Sequence, residues 1–156
     1  MRAEFAKQLH EQMAVNPDIY LITADLGYGI LDKIKEDYPD RFFNVGAAEV
    51  AMVSIAVGLA LSGKVPFCYS ITPFLLFRPF ETIRTYISHE KIPVILIGSG
   101  RGNDYEHDGF SHYAGDDDIL MRLPHIYSIR NLPELKPGAV KSIIEMKMPV
   151  YLNLKR

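Results

Sequence analysis

The sequence predicts an α/β domain built on a mostly parallel sheet with helices on both faces. Three observations carry that expectation. Short apolar runs alternate along the chain with helix-like segments. Several of these runs, among them IYLIT (19–23), PVILIG (93–98) and PVYLNL (149–154), are apolar at nearly every position. Strands covered on both sides read that way, whereas a half-exposed strand alternates. Finally, the stretch from Asn44 to Gly63 holds one charge, Glu49, followed by residues that are apolar or small from Val50 to Leu61. A helix with no polar face is expected to be buried, and this one is too short to cross a bilayer, which needs about 20 residues.

In chain order, Ala3 to Val15 reads as an amphipathic helix, with Phe5, Leu9 and Met13 four residues apart. Asn16-Pro17 stops it. Ile19 to Thr23 is a strand that runs into the turn Ala24-Asp25-Leu26-Gly27, and Ile30 to Tyr38 is a short helix closed by Pro39. Phe42 to Val45 is a second strand, and Gly46 leads into the apolar helix, which closes at Gly63. Val65 to Ser70 is the third strand. From Arg78 onward the charges and aromatics suit a helix, with Pro79 at an early position. Pro93 to Gly98 is a strand. The glycine-rich, polar segment from Gly98 to Gly115 is long for a plain connection, and such loops are usually functional or disordered. Asp116-Asp117-Asp118 opens a short helix through Arg122, His125 to Arg130 is a strand, and a turn at Pro137-Gly138 precedes a helix ending at Met146. Pro149 to Leu154 is the last strand.

The 156 residues suit one domain. With 48% hydrophobic residues and a mean hydropathy near zero, a substantial core is available. A net charge of −2 offers no basic surface for nucleic acid or an anionic membrane. The single cysteine, Cys68, excludes an internal disulfide and sits in an apolar context, VPFCYS. The N-terminus lacks the apolar core of a signal peptide, so the expected location is the cytoplasm.

In open parallel sheets, ligands bind beyond the carboxyl ends of the strands. Four segments follow strands and are expected to converge there: 25–29, 46–49, 70–80 and 99–112. None carries a phosphate loop, a dinucleotide fingerprint, a CxxC, an HExxH or a GxSxG. His107, Asp108 and His112 are metal ligands by type, but their spacing matches no strong metal motif. Phe74, Phe77 and Phe80 recur every three residues, which suits core packing as well as a binding wall. Glu49 suits the first turn of its helix through the helix dipole. It is also a lone carboxylate entering a core, which is costly unless something pairs with it.

Taken together the residues resemble the pyrimidine-binding domain of transketolase-like thiamine diphosphate enzymes, over nearly the whole chain. The segment Asp40-Arg41-Phe42-Phe43-Asn44-Val45-Gly46-Ala47-Ala48-Glu49 is similar to the family's DRFxNxGIAE. Residues 58–66, GLALSGKVP, resemble GLALSGKxP, and Arg78-Pro79-Phe80-Glu81 with Ile83-Arg84 resembles RPFEQIR. His107 to His112, HDGFSH, is similar to EDGPTH, Ala24-Asp25-Leu26 to the ADL turn, and Pro149-Val150-Tyr151-Leu152 to PVYIRL.

The resemblance implies a set of roles. Glu49 would grip the cofactor aminopyrimidine, favour its imino tautomer and share a proton with the ring nitrogen. Phe74, Phe77 and Phe80 would form a flat, dry wall for that ring, with the Asp25 turn nearby. His112 would donate a hydrogen bond or exchange a proton with a sugar or keto oxygen. Asp108 would contact a substrate hydroxyl, and Arg101 a substrate phosphate or carboxylate. His107 stands where the family has an acid and receives no role.

The 156 residues contain no GDG segment followed by an asparagine, the family's magnesium–diphosphate signature, and the expected organisation is a single pyrimidine-binding domain without the family's third, carboxyl-terminal domain. The resemblance therefore implies half of an active site. It implies a larger partner subunit with the diphosphate domain and the Mg2+ ligands, an α2β2 heterotetramer, and ketol transfer between sugar phosphates. Decarboxylation of a 2-oxo acid followed by carboligation begins from the same carbanion. A non-catalytic, regulatory pyrimidine-domain subunit is the reading from another class, and a stand-alone flavodoxin-like binding domain explains the alternation alone.

Overall fold

The computed structural model describes the backbone of residues 1–156 and every side chain except that of Met121. Six strands form one sheet: β1 (Ile19–Thr23), β2 (Phe42–Asn44), β3 (Val65–Ile71), β4 (Ile95–Ser99), β5 (Tyr127–Ile129) and β6 (Val150–Leu154). Their order is β2-β1-β3-β4-β6-β5, and every neighbouring pair is parallel. The expected architecture is therefore what the chain adopts. Among the described residues the antiparallel pairing is one isolated bridge, Gly102 to Ala114, inside the long loop.

Alternation along each strand explains why so little of it is polar. Leu21, Phe67, Tyr69, Ile95, Ile97, Val150 and Leu152 face one core. Ile22, Cys68, Leu96 and Tyr151 face the other. The first core is closed by helices α1 (Arg2–Val15), α2 (Asp32–Asp37) and α6 (Ala139–Glu145), through Phe5, Leu9, Met13, Ile34, Val140 and Ile143. The second is closed by α3 (Glu49–Leu61), α4 (Thr72–Phe77) and the helical turns that follow, through Met52, Val53, Ala56, Leu75, Leu76, Ile83 and Ile87. Both faces of the sheet thus need apolar side chains, and period-two patterning is lost.

Two expectations need correction. The apolar α3 is not buried all round: Met52, Val53, Ala56 and Val57 pack inward, but Val50, Ile55 and Leu61 are 52%, 42% and 71% exposed. The absence of a polar face therefore reflects an apolar outer face, with small residues Ala51, Ser54 and Gly58 also exposed. The helix expected from Arg78 instead starts at Thr72, with Pro73 in its first turn, where a missing N–H costs nothing. Arg78 and Pro79 then separate α4 from α5 (Phe80–Thr82), which runs into a π-helical segment, Ile83–His89. The break follows from Pro79, which has no N–H to continue the ladder. It leaves Arg78 at a helix end with its side chain free to turn toward α3. No helix among the described residues is long and apolar enough to cross a membrane.

Candidate active site at the carboxyl edge

The strand order reverses between β1, which continues outward to β2, and β3, which begins the other half of the sheet. A crevice opens beyond the strand ends at such a switch point. The turns after β1 and β2 are tied there by one side chain: the Asn44 carboxamide Oδ1 accepts from the backbone N–H groups of Asp25 (3.1 Å) and Gly46 (3.0 Å). Asp25 itself is exposed with a positive φ of 47°, and its carboxylate accepts from the Tyr28 hydroxyl.

Glu49 is the first residue of α3 and is 2% exposed. No side-chain cap satisfies the start of this helix. The Glu49 carboxylate instead points to β3 and α4, where Oε2 accepts from Arg78 Nη1 at 2.7 Å and Oε1 from the Ser70 hydroxyl at 3.4 Å. The Arg78 guanidinium lies 3.9 Å from the centroid of the Phe74 ring, on its face. The Phe74 ring meets His112 edge to face at 4.8 Å. Glu49, Arg78, Phe74 and His112 therefore form one continuous row drawn from α3, the α4–α5 break, α4 and the long loop. The cationic face contact and the ion pair reinforce each other, since a ring face attracts a cation and a buried carboxylate requires one.

The long loop after β4 holds its histidine by two short helical turns, Glu106–Asp108 and Phe110–His112. Gly109 joins them with φ of 85°, a conformation that disfavours any side chain, and its carbonyl accepts from the His112 N–H. The His112 Nδ1 is 3.0 Å from the Ser111 hydroxyl. Asp108 is exposed, with Oδ2 3.1 Å from His107 Nε2.

Arg101 departs from its expected place. Its Nε is 2.6 Å from Asn153 Oδ1, its Nη2 2.6 Å from the Asn153 carbonyl, and its Nη1 2.7 Å from the Leu132 carbonyl. The guanidinium fastens the start of the loop to the end of β6 and to the segment after β5, and these protein oxygens take up its donors. Phe77 is exposed and Phe80 half-buried, and the ring contacts among the described residues involve Phe74 rather than either of them.

Several residues of this edge were not singled out in the sequence. Asp117 is buried, and its Oδ2 accepts from Tyr151 (2.9 Å) and Asn153 Nδ2 (3.0 Å), while Oδ1 pairs with Arg130. Burial, with the Asp117 carboxylate close by, pushes the Tyr151 hydroxyl well above its usual range, so it stays a donor. Gly98 passes so close to this cluster that a Cβ there would lie 2.6 Å from Thr72 Oγ1. The one available signal was Asn153, a lone carboxamide in an otherwise apolar strand. Ser70 and Asp117 gave none.

The fold and this row of residues define an α/β domain whose carboxyl edge offers a buried acid beside a flat aromatic face. The family pattern described as transketolase, pyrimidine binding domain, matches residues 1–155, and the chain belongs to that family. A Methanocaldococcus jannaschii protein named as a transketolase C-terminal section is 30% identical across all of this chain and half of its own length. A 6-deoxy-6-sulfo-D-fructose transketolase subunit of Clostridium sp. is 29% identical across all of this chain and 49% of its own. A solved split-gene transketolase, described as an inactive beta4 tetramer, is 32% identical with a TM-score of 0.78, covering 97% of this chain and 50% of that one. The chain thus spans about half the length of these relatives.

Proposed function

We propose that this chain is the pyrimidine-binding subunit of a split, thiamine diphosphate-dependent transketolase-like enzyme, active in ketol transfer between sugar phosphates or related keto substrates. One observation carries the reading: a planar, nitrogen-bearing group, the Arg78 guanidinium, already sits on the Phe74 face and donates to the buried Glu49 carboxylate. An aminopyrimidine is likewise flat and nitrogen-rich, so the residues present fit that half of the cofactor.

Glu49 would hold the aminopyrimidine through a proton at its Oε2, and Phe74, with Phe77 and Phe80 at the margin, would stack on the ring and exclude water. Asp25 would border the same crevice, its turn being tied to the Gly46 turn by Asn44. Bound thiamine diphosphate supplies a nucleophilic thiazolium carbon, and the electronics of that chemistry belong to the cofactor. His112, with Nδ1 facing Ser111, presents Nε2 as the nitrogen for a substrate oxygen. Asp108 would contact a substrate hydroxyl after turning from His107. The diphosphate and its Mg2+ would be held by a larger partner subunit, in an α2β2 assembly. The exposed apolar face of α3, with Val50, Ile55 and Leu61, would meet a second copy of this chain. Among the relatives, one is named a subunit and another is described as split, which supports a partner.

The test is reconstitution with a partner chain carrying the diphosphate domain, followed by Glu49→Ala. Loss of turnover with assembly intact supports the reading; unchanged turnover sinks it.

A further inference from the structure

We propose that Arg78 is a built-in occupant of the aminopyrimidine subsite: in the chain alone its guanidinium fills the place of the ring, and cofactor binds only after Arg78 swings out. The inference rests on the reading that Glu49 and Phe74 hold the pyrimidine.

The two contacts that would seat the ring are both already made by Arg78. Its Nη1 donates to Glu49 Oε2 at 2.7 Å, and its guanidinium carbon stands 3.9 Å from the Phe74 centroid, which is stacking distance. A second flat group cannot share that face and that oxygen. Burial explains why an occupant exists. Glu49 is 2% exposed, and an ionised carboxylate left alone in such a place is costly. Ser70 at 3.4 Å offers only a long hydrogen bond. Arg78 supplies the missing charge.

The means of departure is also built in. The Arg78 side chain is 43% exposed, against 2% for Glu49, so the plug enters from solvent. It sits in the break between α4 and α5, just before Pro79. Turning outward returns the guanidinium to water, where Arg is readily hydrated. Once Arg78 has left, Glu49 takes a proton from solvent, and a ring whose nitrogen accepts from that carboxyl and which lies on Phe74 replaces both of its contacts. Binding is therefore an exchange of a planar cation that donates to Glu49 for a planar ring that accepts from it, and the apparent affinity is lowered by the fraction of molecules in which Arg78 is in place.

The test uses the full chain and the free aminopyrimidine 4-amino-5-hydroxymethyl-2-methylpyrimidine, with binding followed by calorimetry. Wild type is compared with Arg78→Met and Arg78→Lys, each also in a Glu49→Gln background. If Arg78 fills the subsite in about nine molecules of ten, Arg78→Met binds about tenfold more tightly. Arg78→Lys is expected to bind more tightly than wild type as well, because an ammonium pairs with Glu49 but lacks the flat fork that stacks. In wild type, the guanidinium Nε–H NMR signal of Arg78 is expected to move to its free position as pyrimidine saturates. That measurement decides the matter if the variants do not fold.

Equal or weaker binding by a folded Arg78→Met, or an Arg78 signal that does not move while pyrimidine binds, overturns the plug. If pyrimidine binds but Glu49→Gln changes nothing in either background, the reading of Glu49 fails, and the plug with it. If Glu49→Gln weakens binding while Arg78→Met matches wild type, the plug alone fails. Absence of binding by every form overturns both.

Discussion

Phe74 and His112 meet edge to face, ring centroids 4.8 Å apart, although 38 positions separate them in the chain (112 − 74). The contact joins the proposed cofactor wall to the proposed substrate histidine. Phe74→Leu keeps an apolar side chain but removes the flat ring. It is expected to weaken aminopyrimidine binding by about tenfold or less, the worth of an aromatic contact, and to shift the His112 ring-proton NMR signals in the free chain. Unmoved His112 signals would show that the two rings do not touch in solution.

His112→Asn is expected to lower turnover of the reconstituted enzyme by about 100-fold or more, the usual effect of removing an acid–base partner. Thiamine diphosphate affinity should stay within error of wild type, since His112 is placed against substrate. A matching loss of cofactor affinity would move His112 into the pyrimidine wall.

Asp117 is expected to matter for stability. Its carboxylate accepts from the buried Tyr151 and Asn153 and pairs with Arg130, whose side chain is 21% exposed. Asp117→Ala removes one member of a buried charged cluster, which costs about 3–5 kcal/mol in comparable cases. Tyr151→Phe deletes one donor and is expected to cost about 1 kcal/mol. Urea unfolding of the two variants measures both. A small effect for Asp117→Ala would mean that Arg130 finds other partners readily.

Cys68 is fully buried between β1 and β4, and burial raises its thiol far above the ordinary value. The thiolate is the reactive form. The native chain is therefore expected to resist a thiol reagent such as DTNB at neutral pH, and to react at the rate at which it unfolds. Fast stoichiometric labelling of the folded chain would contradict the placement.

Ile55, 42% exposed on the outer face of α3, tests the proposed contact with a second copy. Ile55→Arg puts a charge in the middle of an apolar surface and leaves the inward residues Met52 and Ala56 untouched. Light scattering is expected to give a smaller particle than wild type, with an unchanged melting temperature for the monomer. An unchanged particle size removes α3 from the interface.

The local elements were legible because their causes are local. The β1 run IYLIT falls on Ile19–Thr23 as read, and Pro137-Gly138 immediately precedes α6. The apolar character of α3 was equally plain, but its exposure was not. Composition reports that a face is apolar, not whether anything in the same chain covers it, and α3 turns Val50, Ile55 and Leu61 away from the sheet. Arg101 misled for a related reason. A cation in a glycine-rich loop looks free in one dimension, whereas the return of β6 beside β4 places the Asn153 carbonyl and carboxamide within its reach.

By itself the sequence determined the alternation of strands and helices, the parallel sheet with two cores, and the family-like segments around Glu49, Phe74 and His112, because apolar periodicity, proline and glycine act over a few residues. Only the tertiary structure decided which charges meet: Arg78 on Glu49, Arg130 on Asp117, Arg101 on the end of β6. The physical reason is burial. A carboxylate removed from water takes the cation that the crossing of distant elements brings within 3 Å or so of it, and that crossing is written in no local stretch of the chain.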